Sequence, residues 1–223
     1  MAGRVNLKTF YGVLLAIAVV GVAAVWWASQ RSRGSTEQIL EAPLSLDASA
    51  FPGYVMGSES APVEIVEYAD FTCHACANFT ILQAPDLKSR LIDQGIVRLR
   101  FRGFALGQPS LVPLHAADCA GEQGKFWEMH DHLMYKQRDW LTSGNPIRVF
   151  RGYARQAGVD LGSYDECMRE GRYTARLIAT REEIANSGVS QTPTFDIGQL
   201  RVLGAIPYDS IKVLVDKARG ANN

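Results

Sequence analysis

The most constraining feature of this chain is a cysteine pair, Cys73-His74-Ala75-Cys76, lying between a strand pattern and a helix pattern. Upstream, Ala61-Pro62 opens Val63–Ala69 (VEIVEYA), a β-branched and apolar run that reads as a strand. Downstream, Phe79, Leu82, Leu87, Leu91 and Ile92 recur at helical spacing. They predict one helix from Cys73 to about Gln94, stopped by Gly95. Val97–Arg102 then alternates Val97, Leu99 and Phe101 with Arg98, Arg100 and Arg102, which predicts a half-buried strand. Strand, helix, strand in about 40 residues is a βαβ unit, so a sheet with a parallel pair is expected.

The chemistry follows from placing two sulfurs on the first turn of a helix. Free backbone N–H groups and the positive helix end stabilise a thiolate there. A thiolate is the nucleophile of disulfide exchange, and a depressed pKa makes the dithiol more stable and the disulfide more oxidising. Cys73, nearer the helix start, is expected to attack or be attacked, and Cys76 to resolve the mixed disulfide. Protonated His74 beside Cys73 would favour the thiolate. Zinc would need about four ligands, and neither a second C-x-x-C nor an H-x₃₋₅-H is present. Covalent haem attachment needs His after the second cysteine, where Ala77 stands. His115 with Cys119, and Glu128 with His130 and His132, are candidate metal ligands, but solvated or capping roles are commoner for such residues. No metal and no cofactor is expected.

From about Ser110 to Asn186 only helical pieces are recognisable, joined by breakers such as Gly144-Asn145-Pro146 and Gly158. Trp127 and Phe126 are expected in the core between this block and the scaffold. Strand patterns return at Thr194–Ile197 and Leu200–Leu203, with Gly198-Gln199 as a tight hairpin turn, and a helix from about Tyr208 to Ala218 follows. Cys119 and Cys167 lie in the helical block. Paired, they close a loop of 48 positions, worth about 4 kcal/mol in the chain-entropy model; unpaired, they are small buried apolar groups.

The 223-residue chain carries 23 basic and 23 acidic side chains, a balance that argues against nucleic-acid binding. Its 47% hydrophobic content excludes a disordered chain. Thr9 to Gln30 holds 22 residues without a charge, long enough as a helix (~33 Å) to cross a ~30 Å hydrocarbon core. Trp26 and Trp27 fit an interfacial belt and occupy the zone where signal-peptide cleavage would need small residues. An uncleaved anchor is therefore expected over 9–30, after a short tail (1–8) and before a linker (31–52). Arg4 and Lys8 on one side match Arg31 and Arg33 on the other, so basic residues leave the orientation open.

The stretch GSESAPVEIVEYADFTCHAC (57–76) resembles the opening of the DsbA-like thioredoxin-fold thiol-disulfide oxidoreductases, in the subgroup with an inserted helical domain. Gly188-Val189-Ser190-Gln191-Thr192-Pro193-Thr194-Phe195 resembles that family's cis-proline loop, and His115–Cys119 and Lys125–Leu133 resemble its inserted helices. The resemblance covers about 53–218, leaving a short tail at 219–223. It implies an α/β thioredoxin fold, a central mixed sheet flanked by helices, with an all-helical insertion at about 108–186 behind one N-terminal transmembrane helix.

It also implies a cis Pro193, with the Thr192 backbone pairing a substrate strand, and a buried acid at Glu67 that shuttles a proton for the resolving thiol. Related insertions often carry a bridge, which implies Cys119–Cys167. Two departures touch the sulfurs: His74-Ala75 stands where the family's best-known strong oxidant has Pro-His, and Thr192 precedes the proline, as in some reducing or isomerising relatives. The expected function is a monomeric, membrane-anchored enzyme introducing disulfides into reduced exported proteins. Its body would lie outside the cytoplasm, and a membrane-embedded partner of the DsbB or VKOR kind would reoxidise it. A reductase or isomerase of the same fold, and a non-catalytic peptide-binding chaperone or metal carrier, are the alternatives.

Overall fold

The computed structural model describes residues 12, 16, 18–23, 26–27 and 51–221. Those before 51 are helical, and no helix among the described residues is long and apolar enough to cross a membrane. Most of the predicted anchor and linker, the tail 1–8 and the last two residues lie outside the described residues.

A sheet of five strands organises the body: β1 (Tyr54–Met56), β2 (Val63–Ala69), β3 (Val97–Gly103), β4 (Thr194–Ile197) and β5 (Leu200–Leu203), in the order β1-β3-β2-β4-β5. β2 and β3 are parallel, with Val63 opposite Val97, and the other pairs are antiparallel. The alternation read in β3 becomes burial: Val97, Leu99 and Phe101 face the core. The arginines between them are held at the surface, Arg100 by Glu64 at 3.0 Å and Arg102 by Glu183 at 3.1 Å. Gly198 reverses the chain between β4 and β5 at φ 59°, a left-handed conformation natural to glycine.

The helix predicted over 73–94 is three pieces: α1 (His74–Leu82), α2 (Ala84–Leu87) and a π-helical turn (Lys88–Ile92). Pro85 causes the break, because it has no N–H to give the preceding turn and its ring collides with the carbonyl four residues back. Gln83 at the break accepts a bond from the Tyr208 N–H at 2.8 Å. Gly95 stops the run at φ 69°. Most of the apolar spacing survives the break: Phe79, Leu87, Leu91 and Ile92 enter one core with Val63, Ile65, Leu99, Phe195 and Ile211, whereas Leu82 is exposed.

Between β3 and β4 lie α3 (Gln108–Gly121), α4 (Phe126–Tyr135), α5 (Gln137–Leu141), α6 (Pro146–Gln156), α7 (Leu161–Glu170) and α8 (Thr174–Asn186), and α9 (Tyr208–Ala221) closes the body. β1 was not expected. It adds to the open edge of β3, Tyr54 opposite Phe101, and its tyrosine ring stacks on Phe126 with centroids 3.5 Å apart. Phe126 is buried, as read from the sequence, whereas Trp127 is half-buried and donates its indole N–H to Val55 O at 3.2 Å.

Cys119 and Cys167 are joined in a disulfide that ties α3 to α7, with Cα atoms 5.8 Å apart. Replacing both by alanine should lower unfolding free energy by about 2–4 kcal/mol in non-reducing denaturant titrations. A loss below about 1 kcal/mol would mean that unfolded-state entropy is not what this bridge controls.

Candidate active site

β2 ends at Ala69, and the chain turns through Asp70-Phe71-Thr72 before entering α1. The Cys73 N–H closes the turn on Asp70 O at 3.0 Å. The fully buried Asp70 carboxylate accepts from Thr72 N (2.7 Å), Thr72 Oγ1 (2.9 Å), Leu106 N (2.9 Å) and the Ser110 hydroxyl. One side chain therefore ties the cysteine turn to the connection after β3 and to the first inserted helix.

Cys73 occupies the N-cap of α1, at φ −79° and ψ 116°, and its Sγ accepts the Cys76 N–H at 3.4 Å. The first turn of α1 contains no acidic residue, so nothing there neutralises the positive helix end. The Cys73 thiol is lowered to about 5, chiefly by the hydrogen bond from the Cys76 thiol. Partial burial opposes this, while the Thr192 side chain and the N–H groups of Cys76 and Ala75 assist. Cys76 is buried, and desolvation, then the Cys73 sulfur, push its thiol far above the ordinary value.

Strand pairing brings in the opposite wall. Tyr68 lies across from Thr194, so Thr192 and Pro193 fall beside the turn that follows β2. The Thr192–Pro193 bond is cis, and Cys73 Sγ lies 3.3 Å from Thr192 O, a contact in which the thiol donates. Alternation along β2 puts Glu67 on the same face as Val63 and Ile65, the face α1 covers. Glu67 is 2% exposed and its Oε1 has no hydrogen-bond partner. Burial, and then the Cys73 thiolate charge, push its carboxyl up to about 8.

His74 is exposed, with Nδ1 2.6 Å from Gln137 Oε1. Gln137, the buried first residue of α5, also donates Nε2 to Phe71 O at 2.7 Å and to Cys73 O at 3.0 Å. Neither Gln137 nor Asp70 was singled out in the sequence. The fixed spacing of Asp70 to Cys73 was open to notice, but nothing around Gln137 announces a contact 64 residues away.

The histidines weighed as metal ligands scatter. His130 sits among the rings of Phe71, Phe101 and Trp127, His132 stacks on Tyr153, and Glu128 pairs with Lys125. Among the described residues, only His115, Cys119 and Cys167 gather at ligand distances, and the disulfide engages both sulfurs.

A family model described as thioredoxin matches residues 50–217. The chain belongs to the thioredoxin family. Probable disulfide bond formation protein D of Bacillus cereus is 34% identical over 169 residues, spanning 73% of this chain and 76% of its own. A Na(+)/H(+) antiporter NhaA 3 of Salinispora tropica is 30% identical over 218 residues, 91% of this chain. The chain spans only 32% of the length of that antiporter and of its Salinispora arenicola counterpart. In fold, oxidised BdbD from Bacillus subtilis superposes with a TM-score of 0.68 at 22% identity, covering 74% of this chain and 92% of its own. Wolbachia pipientis alpha-DsbA1 gives 0.69 at 20%, covering 84% and 96%.

Two pH-dependent outcomes follow from this geometry. Alkylation of the dithiol protein should label Cys73 alone, with the rate flat near neutrality and half-maximal near pH 5. A half-point near that of free cysteine, about 8.5, would contradict the N-cap arrangement.

For Glu67 the folded value lies above the unfolded one, so its stability contribution is full below the unfolded value and is lost as pH rises toward about 8. Glu67→Gln should therefore stabilise the dithiol form by on the order of 2 kcal/mol at pH 7, and by little at pH 4. Equal gains at both pH values would show that the carboxyl titrates normally.

Proposed function

We propose that this protein is a thiol-disulfide oxidoreductase that donates its Cys73–Cys76 disulfide to reduced exported proteins. In this reading a helix over Thr9–Gln30 anchors it in the cell membrane, and its body lies on the extracytoplasmic side. A membrane-embedded protein of the DsbB or VKOR kind takes the electrons away. The reading rests above all on one observation: Cys73 Sγ caps α1, where the Cys76 N–H and thiol hold it as a thiolate. The names of relatives agree with it, among them the Bacillus cereus disulfide bond formation protein and a putative protein-disulfide oxidoreductase of Rickettsia felis, 28% identical over 165 residues. For the anchor, support comes from the 22 uncharged residues and the paired tryptophans.

The reaction runs through two exchanges. A substrate thiolate attacks Cys73 Sγ, forming a substrate–Cys73 bond and breaking the Cys73–Cys76 bond. Cys76 leaves as a thiolate and takes a proton. Buried Glu67, raised to about 8 and thus protonated near neutrality, is the donor this reading assigns. A second substrate thiolate then attacks the substrate sulfur of the mixed disulfide, and Cys73 departs as the stabilised thiolate. Two electrons pass from the substrate dithiol to the cysteine pair. Thr192 supplies a main-chain edge on which an extended substrate segment can pair beside the cis proline.

The low value of Cys73 favours this direction over the reductase or isomerase reading, because it stabilises the dithiol product. Mixing the disulfide form with reduced, unfolded ribonuclease A should transfer disulfides, and Cys73→Ser should abolish the transfer. Glutathione equilibration should give a potential nearer that of DsbA (about −120 mV) than that of thioredoxin (about −270 mV). A value near the latter would reverse the assigned electron flow. Transfer that survives Cys73→Ser would favour a binding protein without turnover.

A further inference from the structure

Three atoms of the cysteine turn meet one side chain of the helical insertion. Phe71 O and Cys73 O can only accept hydrogen bonds, so the Gln137 group 2.7 and 3.0 Å away from them must be its NH₂. That leaves Oε1, a pure acceptor, facing His74 Nδ1 at 2.6 Å. Nδ1 must therefore carry the proton, and in the neutral ring Nε2 is bare. This is the tautomer an unrestrained histidine populates less.

The same amide completes the acceptor capacity of Cys73 O, which already takes the Ala77 N–H at 3.1 Å. Two donors on one carbonyl fix the peptide plane between Cys73 and His74. With it they fix the N-cap conformation that aims Sγ at the Cys76 N–H.

We propose that Gln137 is the positioning residue of this site: it dictates which nitrogen of His74 carries the proton and holds Cys73 at the start of its helix. The helical insertion thereby sets the reactivity of a sulfur carried by the scaffold. The inference rests on the exchange role given to Cys73 above. The titratable groups coupled to that sulfur are Cys76 and Glu67, and His74 follows it in the chain with its ring on Gln137.

The test uses the dithiol protein, with nitrogen-detected NMR of His74 and iodoacetamide alkylation across pH. Wild type should show the proton on Nδ1. Gln137→Met keeps the volume and removes every bond, so it should shift the proton to Nε2. It should also move the alkylation half-point up by about one pH unit, making labelling about fivefold slower at pH 5 relative to the plateau. Gln137→Glu keeps an acceptor for His74 but sets a carboxylate against two carbonyls. It should retain the Nδ1 proton while still raising the half-point. In the cycle with His74→Phe, the double variant should shift the half-point by less than the sum of the singles.

A wild-type proton on Nε2 overturns the proposal, and so does an unchanged half-point in a Gln137→Met variant of normal melting temperature. Should that variant fail to fold, the wild-type spectrum and Gln137→Glu decide. None of these readouts needs a substrate protein. Failure of ribonuclease oxidation with the wild-type tautomer and half-point in place would count against the proposed function alone.

Discussion

The site depends on a backbone N–H of Cys76 pointing at the sulfur of Cys73. N-caps are ordinarily hydroxyls, carboxylates or amides that satisfy an orphan donor of the first turn, worth about 1 kcal/mol. Here the cap is a sulfur, and a thiolate is the better acceptor. The same contact therefore stabilises a helix and an ionised nucleophile. When Cys73 enters a disulfide its charge is lost and the cap weakens, so the first turn of α1 is more stable in the dithiol form. Helix capping therefore contributes to electron affinity, alongside the larger hydrogen bond from the Cys76 thiol.

That arrangement explains why the two sulfurs, three residues apart, are chemically unlike. Cys73 is partly exposed and meets the helix end, whereas Cys76 is buried with the Cys73 charge beside it. Desolvation dominates for Cys76, and directed N–H and S–H donors dominate for Cys73. Glu67 extends the contrast, since an unpaired carboxyl in this core keeps its proton near neutrality. A group held in that state is costly to stability and suited to answering a departing thiolate. Glu67 Oε1 has no hydrogen-bond partner, while Arg98 and Arg100 on the neighbouring strand are engaged with Glu64.

How legible this was in the sequence differs by element. Contacts close in sequence left clear traces: the strand before Cys73, the alternation of β3 and the β4–β5 hairpin were all readable from period and turn residues. Apolar spacing alone predicts one helix over 73–94, but it takes no account of Pro85, and the packing tolerates the break. β1 was missed because three residues show no period; it exists only because β3 offers an open edge. The cis bond before Pro193 and the Cys119–Cys167 bridge were expected from resemblance, not from composition, and the structure contains both. Gln137 left no trace, and Asp70 showed only its fixed spacing to Cys73. Their roles depend on tertiary proximity, Gln137 across 64 residues and Asp70 across 36 and 40, which no local pattern encodes.

Those two unread residues change how the helical insertion is understood. If it were only a cover, its contacts with the scaffold would be apolar and interchangeable, like the stacking of Phe126 on Tyr54. Two of its contacts are instead directed hydrogen bonds to the turn that carries Cys73, one through Ser110 to Asp70 and one through Gln137 to Phe71 and Cys73. Directed bonds fail with small displacements, where apolar packing would absorb them. The disulfide between α3 and α7 restrains the helix that carries Ser110. The bridge thus restrains one of the two elements that hold the turn on which the reactive pair depends.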